Sequence, residues 1–93
     1  MRFEWDGNKN AQNQSKHHLS FENAREGFDD PLHISKLDQV IETEQRWMTI
    51  GVVGGLVVVV VVHTFRDDGD EEVVRIISAR RATRHERREY ENG

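Results

Sequence analysis

The sequence predicts a single α+β domain of two layers, in which a central valine-rich strand is covered by helices. Three observations carry that prediction. The run LVVVVVVHT from Leu56 to Thr64 is unbroken in apolar character up to its last two residues. Periodicity cannot tell a buried strand from a buried helix in such a run, but valine is stiff at χ1 and favours a pleated surface. Turn-forming residues bound it on both sides, Gly54-Gly55 before it and Arg66-Asp67-Asp68-Gly69-Asp70 after it. Helix-capping residues stand only outside this block, at Asp6, Ser20 and Thr83. A membrane span is the rival reading. Ile50 to Val62 falls well short of the roughly 20 residues needed to cross a bilayer, and glycines at 51, 54 and 55 interrupt it.

The elements follow in chain order. Phe3 and Trp5 alternate with Arg2, Glu4 and Asp6, which predicts a short edge strand with its aromatic residues inward. Asp6 caps a first helix, Asn8 to His17, whose Asn- and Gln-rich surface offers little apolar face. Ser20 caps a second helix, with Phe21, Ala24 and Phe28 on the face that meets the sheet. Gly27, Asp29-Asp30 and Pro31 end it. Leu32 to Ser35 begins a strand, and Asp38 to Glu44 reads as a polar loop. Arg46 to Val53 and Leu56 to Thr64 form a hairpin across Gly54-Gly55, and Glu72 to Ala79 returns as the last strand. Thr83 and Glu86 have capping-box spacing and open a final helix through Tyr90. The expected order is β-α-α-β-β-β-α, with three or four antiparallel strands in a meander.

Composition bounds the function classes. Ninety-three residues make one domain, residues 1–93, and the absence of cysteine removes disulfides and thiolate metal sites. The amino terminus has no apolar leader, so a cytoplasmic location is expected. Net charge is −4 but polarised. Residues 75–93 hold six arginines against Glu86, Glu89 and Glu91, while residues 1–74 hold seven Lys/Arg against fourteen Asp/Glu. A basic end on an acidic body suits an anionic ligand such as nucleic acid or an acidic protein partner, and equally a solvated helix laced with ion pairs.

No phosphate loop or Ser/His/Asp order is present, so any chemistry rests on histidine, arginine and tyrosine. A two-residue turn at Gly54-Gly55 places Arg46 directly across from His63. Arginine would lower the histidine's pKa and keep it a neutral base, a pair suited to phosphodiester cleavage. The plainer reading, a histidine hydrogen-bonded at a strand end, is the commoner one. Strand parity puts Arg75 and Arg80 on opposite faces, so only one shares the His63 face. Lys16-His17-His18 suggests a metal only weakly, because adjacent helical histidines diverge and no carboxylate completes a set. Trp5 and Trp47 are more often core than base-stacking platforms.

FEWD at Phe3–Asp6, KHHLSFENA at Lys16–Ala24, FDDP at Phe28–Pro31, RWMTIG at Arg46–Gly51, VVVHT at Val60–Thr64 and RIISARRATRHERREYE at Arg75–Glu91 together resemble the BrnT toxin family. The resemblance runs nearly end to end. It implies a RelE-like fold and a ribonuclease that needs no metal or cofactor and blocks translation. It also implies a BrnA-like antitoxin with a ribbon-helix-helix part, through which the complex binds operator DNA and represses its own operon. By analogy with RelE-like nucleases, Arg46, His63, Arg80 and Tyr90 become the catalytic candidates, with Tyr90 activated by neighbouring arginines such as Arg87. Arg75, Arg81, Arg84, Arg87 and Arg88 become the RNA- or antitoxin-binding set. His18 departs from the family's usual glycine, at a position where a left-handed residue is expected between the helices. The acidic total makes the ribosome or the antitoxin the natural guide to the basic end. A toxin relic that only binds its antitoxin is the alternative.

Overall fold

A computed structural model describes residues 1–93. Its elements are β1 (Arg2–Trp5), α1 (Gly7–His17), α2 (Phe21–Ala24) running into a 3₁₀ turn (Arg25–Asp29), β2 (Ile34–Ile41), β3 (Glu44–Val53), β4 (Val57–Asp68), β5 (Glu71–Arg81) and α3 (Arg84–Asn92). The five strands form one sheet in the order β1-β5-β4-β3-β2. β2 to β5 are the expected antiparallel meander, whereas β1 lies on the outer edge parallel to β5. The valine strand is central, and Val59, Val60 and Val61 are completely buried. Alternation sends Val59 and Val61 to a core with Phe21, Ala24, Val74, Ile76 and Ala79, and Val60 to a smaller core with Ile50 and Ala82. Tyr90 of α3 packs on the second core. The sheet therefore carries helical cover on both faces, not the single helical layer expected, because a strand buried on two sides needs two covers.

Three registers differ from the sequence reading. Gly54 and Gly55 do adopt positive φ, 63° and 72°, and the Leu56 N–H donates to the Val53 carbonyl at 3.3 Å, as in a primed turn. The ladder nevertheless resumes at Val53↔Val57, with Leu56 turned out to solvent at 89% exposure. That one added residue pairs Trp47 with His63 and moves Arg46 to the opposite face, so the expected Arg46–His63 pair does not form. On β5, Val62 pairs with Ser78 but His63 with Ile76, leaving Ile77 as a bulge. The bulge resets parity, so Arg75 (beside Thr64) and Arg80 (beside Val60) share one face, and neither shares that of His63. Finally, the stretch expected as a loop around Asp38–Glu44 is mostly strand. β2 runs to Ile41 and turns at Glu42, φ 58°. Backbone pairing with β3 extends an exposed edge strand that side-chain pattern does not reveal.

The helices sit where their caps put them. The Asp6 carboxylate accepts from the N–H groups of Asn8 and Lys9 at 2.8 and 3.2 Å, and Ser20 Oγ accepts from Asn23 N–H at 3.1 Å. His18 ends α1 in the left-handed conformation, φ 57°, as expected of this position. α1 compensates for its missing apolar face with asparagine. The Asn13 amide donates to the carbonyls of Leu19 (2.9 Å) and Ala79 (2.8 Å), and its oxygen accepts from the Ala79 N–H at 3.1 Å. β1 ends opposite Ile76, so Asn13 takes the place of a strand partner at Ala79. Gly51 has a different duty. An added Cβ there would lie 2.3 Å from the Gly27 carbonyl oxygen, so glycine alone lets the 3₁₀ turn rest on β3.

Candidate functional site

Because Asn13 fastens α1 to β5 at Ala79, the last turn of α1 stands beside the last residues of β5. Lys16, His17 and His18 thus meet Arg80 and Arg81 around an open depression of about 620 Å³. All five lining residues are basic, and none is a carboxylate. Lys16 and His17 also occupy the last turn of α1, where the helix dipole favours positive charge. Arg80 is held in place by a two-pronged ion pair with Glu86, at 2.6 and 2.9 Å. Glu86 in turn accepts from the Thr83 N–H at 2.8 Å as part of the capping box that starts α3. The Arg80 bond holds the Glu86 carboxyl at a pKa of about 2 and raises that of Arg80. One arginine of the basin is therefore fixed by the C-terminal helix, while Lys16 and Arg81 have no acidic partner.

The four residues singled out as catalytic fall apart spatially. His63 is completely buried on the face covered by the 3₁₀ turn, its ring edge-on to Phe28 (4.9 Å) and Phe65 (4.6 Å). Its Nε2 meets Thr49 Oγ1 at 2.7 Å, which contacts Ser35 Oγ at 2.7 Å, and its Nδ1 lies 3.4 Å from the Thr64 carbonyl. A neutral ring protonated on Nδ1 satisfies both contacts, donating to Thr64 and accepting from Thr49. Burial pushes its pKa down to about 4. The direction is the expected one, but the cause is desolvation rather than an arginine.

Arg46 lies on the other face, with Nε 3.5 Å from Glu44 Oε1. Tyr90 donates its hydroxyl to Asp30 at 2.5 Å, and this bond raises its pKa, the reverse of the activation expected from nearby arginines. Asp30 also accepts from Leu32 and Val52 N–H groups, at 2.9 Å each, so Tyr90 ties α3 to the turn before β2. Arg75, Arg84, Arg87 and Arg88 are exposed and have no ion-pair partner, and Arg81 joins them at the basin rim.

Residues 5–86 match the family model described as the ribonuclease toxin BrnT of type II toxin-antitoxin systems. The chain belongs to the BrnT family of ribonuclease toxins. The 1.1 Å crystal structure of the Brucella abortus ribonuclease toxin BrnT is similar, with 30% identity and a TM-score of 0.62. The match covers 90% of this chain and 99% of that one. Among curated proteins none matches the chain. As a type II toxin, this BrnT-family chain implies an antitoxin partner, and no helix is long and apolar enough to cross a membrane.

Within the BrnT-family fold, Lys16, His17 and His18 are the site residues that sequence reasoning considers for a metal alone. A signal for them existed. Three consecutive basic residues stand at a helix C-terminus, the last of them in the left-handed cap, with Lys16 and His18 exposed and His17 half-buried. As a metal site they fail for want of a carboxylate. For a phosphate the same lack is favourable.

Proposed function

We propose that this BrnT-family chain cleaves RNA at the basin formed by Lys16, His17, His18, Arg80 and Arg81, without a metal. One observation carries the reading: five basic side chains from two elements converge on one depression with no carboxylate in its lining. Such a surface attracts a phosphodiester and stabilises the added negative charge of its transition state. In the cleavage itself the ribose 2′-oxygen attacks the adjacent phosphorus, and the bond to the 5′-oxygen breaks. A 2′,3′-cyclic phosphate and a 5′-hydroxyl result. One imidazole of the His17-His18 pair takes the 2′-hydroxyl proton and the other supplies a proton to the departing oxygen, the work histidine performs near neutral pH. Lys16 and Arg81 hold the phosphate oxygens, and Arg80, oriented by Glu86, is the fixed member of the set.

Cleavage of messenger RNA, on the ribosome or free, would inhibit translation. In the same reading a BrnA-like ribbon-helix-helix antitoxin neutralises the toxin by covering the basin and the exposed face of α3, and its DNA-binding part represses the operon. Salt should weaken that contact, because exposed charges are screened beyond about 8 Å at physiological ionic strength.

Expression without the antitoxin tests the function in cells. The wild type should arrest growth, and His17→Ala and Arg81→Ala should relieve the arrest while remaining folded. Arg46 and Tyr90 define the second reading, a site on the α3-covered sheet face. Relief by Arg46→Ala or Tyr90→Phe, with the basin variants still toxic, would move the site there. No arrest by the wild type would favour the non-catalytic, antitoxin-binding relic.

A further inference from the structure

The basin does not end at His17. A second depression of about 230 Å³ continues from it between α1 and the outer edge of β5, sharing Lys16 and His17 with the first. Its α1 wall is a single stripe, Lys9, Gln12, Asn13 and Lys16, at the spacing that places residues on one helical face. Its other wall is Ile77 and Ser78, the β5 bulge. β1 ends opposite Ile76, and Asn13 takes the strand position only at Ala79. Between them Ile77 and Ser78 lie beyond the last residue paired with β1 and line the groove.

The chemistry changes along this path from cationic to mixed. The floor offers one half-buried apolar side chain, Ile77, and the Asn13 amide is already committed to Leu19 and Ala79. That leaves the exposed Gln12 amide to donate and accept hydrogen bonds. Lys9 and Lys16 bracket Gln12, roughly 10 Å apart along the helix at 1.5 Å per residue. A polar amide over an apolar floor, flanked by two cations and opening into a phosphate-binding basin, matches one unstacked nucleotide of a single strand.

We propose that this groove is a nucleobase subsite, with Gln12 reading the base that adjoins the phosphate held in the basin and Lys9 holding the next phosphate. The assignment rests on the ribonuclease reading of the basin and adds to it a substrate class, single-stranded RNA, and a residue that sets base preference.

The test is a nuclear magnetic resonance titration of the whole protein with inorganic phosphate and, separately, with each of the four nucleoside 3′-monophosphates. Phosphate should shift basin signals, Lys16 and Arg81 among them, and leave Gln12 and Ile77 unmoved. At least one nucleotide should also shift the Gln12 side-chain amide and the Ile77 methyl groups, and bind about fivefold tighter than phosphate. Gln12→Ala, a substitution favourable to an exposed helix position, should remove that advantage. Nucleotides that bind no tighter than phosphate, or that leave Gln12 and Ile77 unmoved while shifting the basin, overturn the subsite and leave the basin standing. If neither phosphate nor nucleotide shifts Lys16 and Arg81, the basin reading falls and takes the subsite with it.

Discussion

Acid should unfold this protein through His63 before it does so through any carboxylate. In the folded chain burial holds the ring near a pKa of about 4, whereas a histidine in the unfolded chain titrates at its ordinary value of 6.5. Above pH 6.5 the ring is neutral in both states and stability does not depend on it. As pH falls from 6.5 towards 4 the unfolded chain takes up a proton that the folded chain refuses, so stability is lost. Between pH 7 and 4.5 the loss comes to roughly 2 kcal/mol, at 1.36 kcal/mol per pKa unit. For a domain of this size that lowers the melting temperature on the order of 10 °C. The carboxyls of Asp30 and Glu86 are held below their ordinary values, so their contribution is lost below this window. Urea unfolding at half-unit pH steps measures the slope. His63→Gln can still bond to Thr49 but cannot titrate, and its stability should be flat from pH 6.5 to 4.5. An equal slope in the wild type and the Gln variant would refute the reasoning and return His63 to consideration as an accessible, functional base.

Three further outcomes follow from the packing. Asn13→Ala leaves the Ala79 N–H and the carbonyls of Ala79 and Leu19 without partners. At about 1–3 kcal/mol for each group left buried and unpaired, urea unfolding should show a loss of roughly 3 kcal/mol or more. Gly51→Ala drives a methyl group into the Gly27 carbonyl, and displacement of the 3₁₀ turn should cost upwards of about 2 kcal/mol in the same assay. Tyr90→Phe removes the bond to Asp30 and should loosen α3, seen as faster amide exchange there, while RNA cleavage persists.

Much of the frame was legible because it is written in local chemistry. The valine run, the caps at Asp6, Ser20 and Thr83, and the left-handed His18 each depend on a few adjacent residues. The registers were not. Leu56 is apolar and adjoins the valines, so nothing local says that it leaves the strand, yet that single residue separates Arg46 from His63. The Ile77 bulge is equally silent, since Ile76 and Ser78 flank it in sequence as they would in an ordinary strand. The polar helix concealed its purpose for a third reason. Asn13 acts as a strand partner for a residue 66 positions away, and that long-range bond helps hold Lys16-His17-His18 beside Arg80-Arg81. The arginines at the C-terminal end were visible as charge, but which of them faces which partner is a property of the folded sheet.

The most direct test of the central claim is cleavage of a single-stranded RNA by the purified chain in the presence of EDTA, with the product ends identified. The wild type should give 2′,3′-cyclic phosphate and 5′-hydroxyl ends. His17→Ala or His18→Ala should slow the reaction about 10²- to 10⁴-fold, the usual worth of positioned proton transfer, and Arg81→Ala should weaken it on every sequence. Cleavage at the wild-type rate by folded variants of all three residues, or activity abolished by EDTA, would contradict a metal-free active site in the basin.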